Sequence, residues 1–411
     1  RMRSKATLTL NRSKFRKTAM KIDTVISTDI ETSAVRSFLE DPEIDAFYTS
    51  DTEYTTSRKG SGVSSTQAPV ILTWAATGER TLYLSTSEDF SDPTTISIGA
   101  SSASTSIYNL IPGVTYYCRT ISSSGSYWET SFVPVGPFRA LNVSGTGNAR
   151  DLGGWQSTML DSEGKPYSVK YGKVFRGQAP SSTSSELINL GVGVEMDLRG
   201  YPSTTGSPFS SCPFGAEFIN RPVCQFMYPE SSSSSGGGGS STATAGVSAD
   251  DYQQAIREII GSLQEGKGVF FHCIGGADRT GTLSYLILAL LGVKEADLCK
   301  EYELTQGRTR DNNATRPFKQ LVFYLKTFNT HTAVENPEMG EIVETTTELT
   351  TLQEMTTEWA LTRHENVGTS DVTSFPPLTE NEIEYLKYYL LEGYPEPSEP
   401  LVLEDESTLR R

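Results

Sequence analysis

The feature that most constrains the fold is a short apolar strand that passes through one loop directly into an apolar helix. Val269–Phe271 has the length and residue types of a buried strand. Thr280–Leu291 is a strongly apolar helical segment, and Gly292 ends it. Short strands joined to helical segments in this way are typical of a mixed α/β domain.

The mixed α/β pattern extends over residues 141–394, and we expect it to form one domain. Gly191–Arg199 is typical of a strand that follows a helix end. Residues 231–246 are a Ser/Gly tract that cannot bury enough surface to fold, so a flexible insertion is predicted there. The next helix starts at a capping-box-like Ser248–Asp251. Its apolar face consists of Tyr252, Ala255, Ile256, Ile259, Ile260 and Leu263.

A different pattern fills residues 66–140, where short β-prone runs are separated by Ser, Asp, Gly and Pro. The runs are Ala68–Trp74, Arg80–Ser85, Thr105–Leu110, Thr115–Ser122 and Trp128–Val133. This spacing predicts an N-terminal all-β sandwich module. Within it, Asn109–Cys118 resembles the loop-to-strand signature of fibronectin type III modules, which implies a spacer or a platform for a surface or protein ligand.

The two ends of the chain carry weaker signals. Residues 1–65 are basic and polar, with a short helix expected around Glu31–Leu39. Near the other end, Thr379–Glu382 is a capping box that starts an amphipathic helix, which we expect to dock on the α/β domain. Residues 395–411 are expected to be a disordered acidic tail.

The charge of the chain limits its partners. The 35 Lys and Arg residues are outnumbered by 50 Asp and Glu residues, so the formal net charge is −15, which opposes attraction to nucleic acid or anionic membranes. No stretch approaches the roughly 20 apolar residues of a membrane-spanning helix, so we expect no membrane insertion. The three histidines and five cysteines show no close pairing, and we therefore expect no metal and no cofactor.

The loop between the predicted strand and helix, His272–Gly281, has the residues of an anion site with a nucleophile. A short loop that enters a helix N-terminus directs backbone N–H groups into one concavity. Gly275 and Gly276 permit a tight backbone, and Arg279 adds a planar charge that can hold two phosphate oxygens. In that field the thiolate is favoured over the thiol, so Cys273 is predicted to be a nucleophile.

This loop resembles the phosphate-binding loop of protein tyrosine phosphatases, His-Cys-x-x-Gly-x-x-Arg-Thr, at each specified position. Other runs resemble the bacterial tyrosine/serine phosphatases in the same order, namely Asn148–Gly154, Tyr171–Gly177, Asp197–Arg199, Leu291–Lys294 and Glu301–Thr305. The resemblance covers about residues 141–330. It implies an α/β phosphatase domain with a parallel-centred sheet flanked by helices, and a reaction that passes through a phosphocysteine.

The resemblance also implies roles for individual residues. Cys273 attacks phosphorus, and the loop holds the phosphate through Ile274, Gly275, Gly276, Ala277, Asp278 and Arg279. Thr280 donates a hydrogen bond to the sulfur as it leaves; the alternative is a plain helix N-terminal hydroxyl. His272 is expected to order the loop.

Further side chains are expected to support the loop from outside. Asn148, Arg150 and Asp151 belong to this group; the alternative for them is a simple turn hinged on Gly153 and Gly154. Arg199 is also placed in this group. If Asp197 is not catalytic, its role is structural, with Arg199 or Arg150 as its partner.

The leaving oxygen needs a general acid, and two residues could provide it. Asp278 lies in the loop itself, within reach of the phosphate, and is preferred for that reason. Asp197 could instead be carried on a strand-end loop that faces the site.

Three functions fit these residues. The first is hydrolysis of phosphomonoesters, with a phosphotyrosine protein or a small phosphomonoester as substrate. The second is hydrolysis of an inositol phosphate or phosphoinositide, which Ala277 and the acidic chain disfavour, since relatives with lipid activity tend to carry an extra Lys in the loop. The third is a surface binding protein with a vestigial phosphatase domain, which the joint presence of Cys273, Asp278 and Arg279 disfavours.

The compartment and the cysteine chemistry remain open at this point. The β-module and the Ser/Gly tract favour a secreted or cell-envelope protein, while a cytoplasmic location is also compatible with the sequence. Cys212 and Cys224 are close enough in sequence to form a disulfide, although buried free thiols are the preferred interpretation.

Overall fold

The protein is described here by a computed structural model. The structure describes residues 22–25, 27–42, 67–74, 78–123, 125, 127–200, 209–223, 250–304, 321–322, 324–328, 330–335, 342–364 and 375–403. The chain divides into two compact units, one made of Arg1–Glu31 with Ala68–Gly136 and the other of Thr32–Gln67 with Pro137–Arg411. The predicted Ser/Gly insertion at 231–246 lies outside the described residues.

The first unit consists of short antiparallel strands. They are β1 (Ile22–Val25), β2 (Val70–Trp74), β3 (Arg80–Ser85), β4 (Thr94–Ile98), β5 (Ser104–Ile107), β6 (Tyr116–Ser122) and β7 (Tyr127–Phe132). One sheet has the order β1-β2-β5, and the other has the order β4-β3-β6-β7. Every pairing in both sheets is antiparallel.

Both sheets of this unit contribute side chains to one apolar cluster, which includes Leu72 of β2, Leu82 of β3 and Cys118 of β6. Alternate residues of β2 and of the first part of β6 are buried, as the two-residue repeat of a strand requires. The five predicted strands are present, whereas β1 and β4 were not predicted because at least half of the residues in each are polar. The more specific resemblance to fibronectin type III modules stays a prediction.

A mixed five-stranded sheet forms the centre of the second unit. Its strands are β8 (Arg150–Asp151), β11 (Val174–Gly177), β12 (Val192–Asp197), β13 (Glu217–Asn220) and β14 (Gly268–His272), in the order β13-β12-β14-β11-β8. The four strands from β13 to β11 are parallel, and β8 is antiparallel at the edge. The carboxyl ends of β11, β12 and β14 therefore lie side by side, which is where ligands bind in parallel sheets.

Helices surround this sheet, some in contact with its strands and others packed on those helices. They are α1 (Ser33–Leu39), α2 (Glu186–Asn189), α3 (Asp250–Gln264), α4 (Asp278–Leu290), α5 (Glu295–Glu303), α6 (Leu352–Leu361) and α7 (Glu380–Leu390). The apolar side chains of α3 and α4 form one cluster with Val269 and Phe271 of β14. Leu187 of α2 belongs to another cluster with Phe270, whose side chain points to the opposite face of the strand. The predicted parallel-centred sheet flanked by helices is thus the observed architecture.

Two antiparallel pairs complete the second unit, β9 (Gln156–Leu160) with β10 (Pro166–Ser168) and β15 (Thr330–Glu335) with β16 (Ile342–Thr347). The apolar face predicted for α3 is buried throughout, from Tyr252 to Leu263. The helix predicted from the Thr379 capping box is α7, and both hydrogen bonds of its capping box are present.

The ends of the chain differ from expectation in two respects. Residues 1–65 do not form one separate segment, because β1 pairs with β2 while Val35 and Phe38 of α1 are buried in the core of the α/β unit. Residues 395–403, expected to be disordered, contact this unit: the Tyr385 hydroxyl donates to the Glu399 carbonyl at 3.0 Å, and Leu403 packs against the main cluster. Residues 404–411 lie outside the described residues.

Among the described residues, no helix is long and apolar enough to cross a membrane.

Candidate active site

The loop that carries Cys273 lies where strand β14 ends and helix α4 begins. Helix α4 starts at Asp278, and its first backbone hydrogen bond runs from the Gly281 N–H to the Ala277 carbonyl at 2.9 Å. Ala277 is the N-cap residue and makes no side-chain capping bond. The first N–H groups of α4 are therefore not used by a capping side chain and can face an anion.

Cys273 is a free thiol with 4% of its surface exposed, and its pKa is lowered from the ordinary value of 9.0. Burial raises the pKa of this thiol, but the hydroxyl and amide of Thr280, the charge of Arg279 and the amide of Ala277 together outweigh burial. The Thr280 hydroxyl is buried and has no oxygen or nitrogen partner within the described chain, which leaves it to the sulfur. The loop therefore stabilises a thiolate, the nucleophilic form of cysteine.

One of the two loop glycines is required by the backbone. Gly276 has a φ of +65°, and a Cβ atom at this position would lie 2.4 Å from the Gly177 carbonyl oxygen at the end of β11. At Gly275 a Cβ atom would have no neighbour within 4 Å. Both glycines were expected to permit the tight backbone. The structure requires glycine on steric grounds at Gly276, and an added Cβ atom would meet no neighbour at Gly275.

Asn148 fastens the loop from outside. Its side-chain amide donates to the carbonyls of Gly275 at 3.3 Å and Gly276 at 2.9 Å. Its Oδ1 accepts from Arg150 Nη1 at 2.6 Å, and its own backbone has a φ of +53°. Two loop carbonyls are thus held away from the concavity, so Asn148 and, through it, Arg150 support the loop.

A buried ionic cluster lies beneath the same loop. Glu301 of α5 accepts from Arg150 Nε at 2.8 Å and from Arg176 Nη1 at 2.9 Å. Arg176 also donates to the Gly276 carbonyl through Nη2 and to the Ser284 hydroxyl at 3.0 Å. Sequence reasoning missed Arg176 and Glu301 as site residues, although both lie in runs that carried the family resemblance.

His272 is buried next to Cys273. Its Nε2 lies 2.8 Å from Glu195 Oε1, and its Nδ1 lies 3.1 Å from the Cys273 carbonyl oxygen. These contacts fix the ring and connect β12 to the start of the loop. Glu195 was not predicted, and its alternation with Asp197 on β12 is the signal that places both carboxylates on the face that His272 shares.

The two candidate general acids have different surroundings. Asp197 is buried at the end of β12, where Arg199 binds both of its oxygens, with Nε at 2.9 and 3.0 Å and Nη2 at 2.6 Å. Asp278 is half-buried in the first turn of α4, within the loop segment. Asp197 thus has Arg199 as its partner, which is the structural alternative stated for it, while Asp278 directly follows the loop in the first turn of α4.

Asp151 is placed away from the loop. Its carboxylate accepts from Arg139 Nη1 at 2.6 Å, from the Gly153 N–H at 2.8 Å and from the Gly172 N–H at 2.7 Å. Burial raises its pKa, and the charge of Arg139 and these N–H groups oppose that rise. It therefore ties a glycine turn to the strand edge, as in the alternative stated for it, and does not contact the phosphate loop.

The rim of the concavity is partly apolar. Ile274 follows the nucleophile and has 69% of its surface exposed, which is unusual for an isoleucine. Ala277 and Arg279 are half-buried.

Cys212, which could pair with Cys224 in a disulfide, is a free thiol. Its pKa is raised to about 11 by burial and by a hydrogen bond to Glu195. Cys224 lies outside the described residues.

Among the described residues, no group of three or more His, Cys, Asp or Glu side chains is arranged to hold a metal ion.

Comparison with known proteins identifies the family. A family model described as the tyrosine phosphatase family matches residues 141–366, more than half of the chain. The chain belongs to the tyrosine phosphatase family. The match covers β8 to α6, including the Cys273 loop, the Arg150–Arg176–Glu301 cluster and both candidate acids.

Individual relatives share less than a third of their aligned residues with this chain. A provisionally named tyrosine-protein phosphatase of Cupriavidus necator is 28% identical over 186 residues, 41% of this chain and 63% of that protein. A tyrosine-protein phosphatase of Nostoc commune is 25% identical over 152 residues, 33% of this chain and 49% of that protein. The chain thus spans less than two thirds of the length of either relative. The crystal structure of P. aeruginosa TpbA is 14% identical with a TM-score of 0.25, covering 41% of this chain and 89% of that one.

Proposed function

We propose that the protein is a cysteine-dependent phosphomonoester hydrolase that acts on phosphotyrosine through a phosphocysteine intermediate. The observation that carries the proposal is the thiol of Cys273, whose pKa is lowered despite its burial. A thiolate beside helix N-terminal amides and an arginine is suited to attack a phosphate dianion, because the amides and Arg279 stabilise the equatorial oxygens.

The reaction has two steps. In the first, the Cys273 sulfur attacks phosphorus, the bond from phosphorus to the tyrosyl oxygen breaks, and Asp278 delivers a proton to that oxygen. In the second, water attacks the phosphocysteine and loses a proton to Asp278 as the sulfur–phosphorus bond breaks. The Thr280 hydroxyl stabilises the departing thiolate, as its effect on the Cys273 pKa supports.

Asp278 is the proposed general acid because its position in the loop keeps it near the leaving group. Asp197 is less suited to this role, since Arg199 donates to both oxygens of its carboxylate and so engages the group that would have to face the leaving oxygen.

The rim favours an aromatic phosphate ester over an inositol phosphate. The exposed Ile274 offers apolar surface to a phenyl ring, while Ala277 adds no cation for additional phosphates. For the first unit, we propose a surface or protein ligand, and a secreted or cell-envelope location remains a prediction.

The test is phosphate release, with EDTA present, from a phosphotyrosine peptide, a phosphoserine peptide and an inositol phosphate, for wild type and Cys273→Ser. We expect turnover of the tyrosine peptide, inhibition by vanadate and loss of turnover in the variant. Preference for the inositol phosphate would keep the mechanism and overturn the substrate class. Folded protein that hydrolyses none of the three would contradict the enzyme assignment and favour a binding protein.

A further inference from the structure

Arg176 occupies an unusual position for an arginine. It is the third residue of β11, fully buried, and its guanidinium points beneath the phosphate loop. One nitrogen, Nη2, donates to the carbonyl of Gly276, while the other, Nη1, donates to Glu301 and Ser284. The side chain therefore connects the loop to α4 and α5 without being part of the loop.

The contact with Gly276 bears on the shape of the anion site. A loop binds an anion only if its N–H groups point inward, which requires its carbonyls to point outward. Arg176 and Asn148 both donate to the Gly276 carbonyl from outside, at a residue whose φ of +65° already marks an unusual peptide orientation. The guanidinium thus opposes rotation of this peptide, which would turn a carbonyl oxygen toward the phosphate.

The charge of Arg176 acts on the same loop. The cluster contains two arginines and one carboxylate, Glu301, so its formal charge is positive, and all three side chains are buried. Burial lowers the pKa of Arg176 to about 9, with Arg150 acting in the same direction, while Glu301 and Cys273 act to raise it. Arg176 is therefore charged at neutral pH, and the interaction that favours its charge also favours the Cys273 thiolate.

We propose that Arg176 is a positioning residue: it holds the Gly276 carbonyl outward and stabilises the Cys273 thiolate from beneath the loop, without contacting the phosphate. This inference rests on the proposed function, because it gives a second arginine a role in the same site. It separates two contributions, a hydrogen bond that shapes the anion site and a charge that favours the thiolate.

The experiment compares Arg176→Gln, Arg176→Lys and a matched control, Arg257→Gln. Arg257 is also buried, and it pairs with Glu382 of α7 and with the Pro377 carbonyl, so its loss disturbs the fold without touching the loop. Two quantities are measured: the pH dependence of alkylation of Cys273 by iodoacetamide, followed by mass spectrometry of its peptide, and the inhibition constant of vanadate. Circular dichroism reports whether each variant is folded.

We expect Arg176→Gln to raise the alkylation pKa of Cys273 by about one unit and to raise the inhibition constant of vanadate about tenfold. Arg176→Lys should keep the alkylation pKa close to wild type, because an ammonium keeps the charge. Its inhibition constant for vanadate should still rise, because one ammonium cannot reproduce the paired guanidinium hydrogen bonds to Glu301 and the Gly276 carbonyl. Arg257→Gln should change neither quantity, whatever its effect on stability.

Two results would overturn the proposal. One is a folded Arg176→Gln, or a folded Arg176→Lys if Gln does not fold, that binds vanadate as wild type does. The other is a control variant, Arg257→Gln, that raises the alkylation pKa of Cys273 as much as Arg176→Gln does. Alkylation requires no turnover, so a protein that lacks phosphatase activity would contradict the proposed function and still yield this pKa.

Discussion

Cys273 and Cys118 are both buried thiols, with 4% and 0% of their surface exposed, and their pKa values move in opposite directions. Cys118 lies on β6 in the apolar cluster of the first unit, where burial raises its pKa from 9.0 to about 12. Cys273 lies at the end of β14, where the pKa is lowered. Burial is the largest effect at both sites, and in both cases it favours the neutral thiol.

The difference between the two cysteines comes from the groups that face the sulfur. At Cys118, burial is the cause of the shift. At Cys273, Thr280, Arg279 and the Ala277 amide compensate for burial, because the loop turns into a helix N-terminus beside the sulfur. The loop that follows a buried cysteine therefore decides in which direction its pKa moves.

The strongest test removes each thiol in turn. Cys273→Ser should reduce phosphate release from a phosphotyrosine peptide by about 10⁴-fold or more, because a serine hydroxyl is not ionised in this loop. Cys118→Ala should leave kcat/KM within about twofold of wild type, since its side chain belongs to another cluster. Equal losses in both folded variants would mean that the two cysteines do not differ in function.

The loop backbone can be tested with its two adjacent glycines. Gly276→Ala should lower kcat/KM by about a hundredfold, because the new methyl group would meet the Gly177 carbonyl and the φ of +65° disfavours alanine. Gly275→Ala should have little effect, since no atom lies within 4 Å of the added carbon. Steady-state kinetics of both variants checks this, and a larger loss at Gly275 would contradict the assigned loop geometry.

The Cys273 loop is also proposed to supply the proton for the leaving group, through Asp278. No such function is proposed for the surroundings of Cys118. Asp278→Asn should slow hydrolysis of a phosphotyrosine peptide by about 10²-fold. An aryl phosphate with a good leaving group should lose much less, because it departs without a proton. If Asp197→Asn shows this dependence on leaving group and Asp278→Asn does not, the acid is Asp197.

The hydroxyl that faces the sulfur can be removed with little change in volume. Thr280→Val should raise the Cys273 pKa and move the acidic limb of the kcat/KM profile to higher pH by about one unit, because activity requires the thiolate. Thr280→Ser retains the hydroxyl and should keep the limb near its wild-type position. A limb that moves equally in both variants would assign the effect to altered packing at position 280 and not to the hydrogen bond.

The part of the site that residue types and their spacing predict is contiguous in the chain, whereas the supporting role of Asn148 and Arg150 was expected from the family resemblance. Cys273, Arg279 and Thr280 lie within one loop, so a pattern of residue types contains their geometry. Arg176 and Glu301 are 125 residues apart, and their contact depends on how β11 and α5 pack. Both residues stand in runs that resemble the family, but a run does not show which of its side chains points to the loop.

The same limit applies to the fold. The buried strand β14, the apolar helix α4 and the face of α3 follow from periodicity, which indicates that a segment is buried but not what covers it. The pairing of β1 with β2 joins segments nearly fifty residues apart, and α1 belongs to a core formed mostly by residues beyond 137. Such contacts depend on tertiary packing, which the local pattern does not specify.

The smallest expected effect concerns stability. Cys118 keeps its proton in the folded chain up to about pH 12 but loses it near pH 9 when unfolded, so the unfolded state binds fewer protons between these values and stability falls as pH rises. Between pH 8 and pH 10, wild type should therefore lose about 1 kcal/mol more unfolding free energy than Cys118→Ala. Urea unfolding followed by tryptophan fluorescence measures this, since Trp74 is buried in the same cluster.

Cys273 provides the opposite sign and so completes this test. Its folded pKa is lowered, so its contribution to stability is present above the unfolded value of 9.0 and is lost as pH falls through the folded value. On lowering the pH from 9, wild type should therefore lose stability relative to Cys273→Ser, whereas on raising it from 9 wild type should lose stability relative to Cys118→Ala. If the stability contributed by Cys273 also fell as the pH rose, as expected for Cys118, the loop would not reverse the effect of burial on the Cys273 pKa.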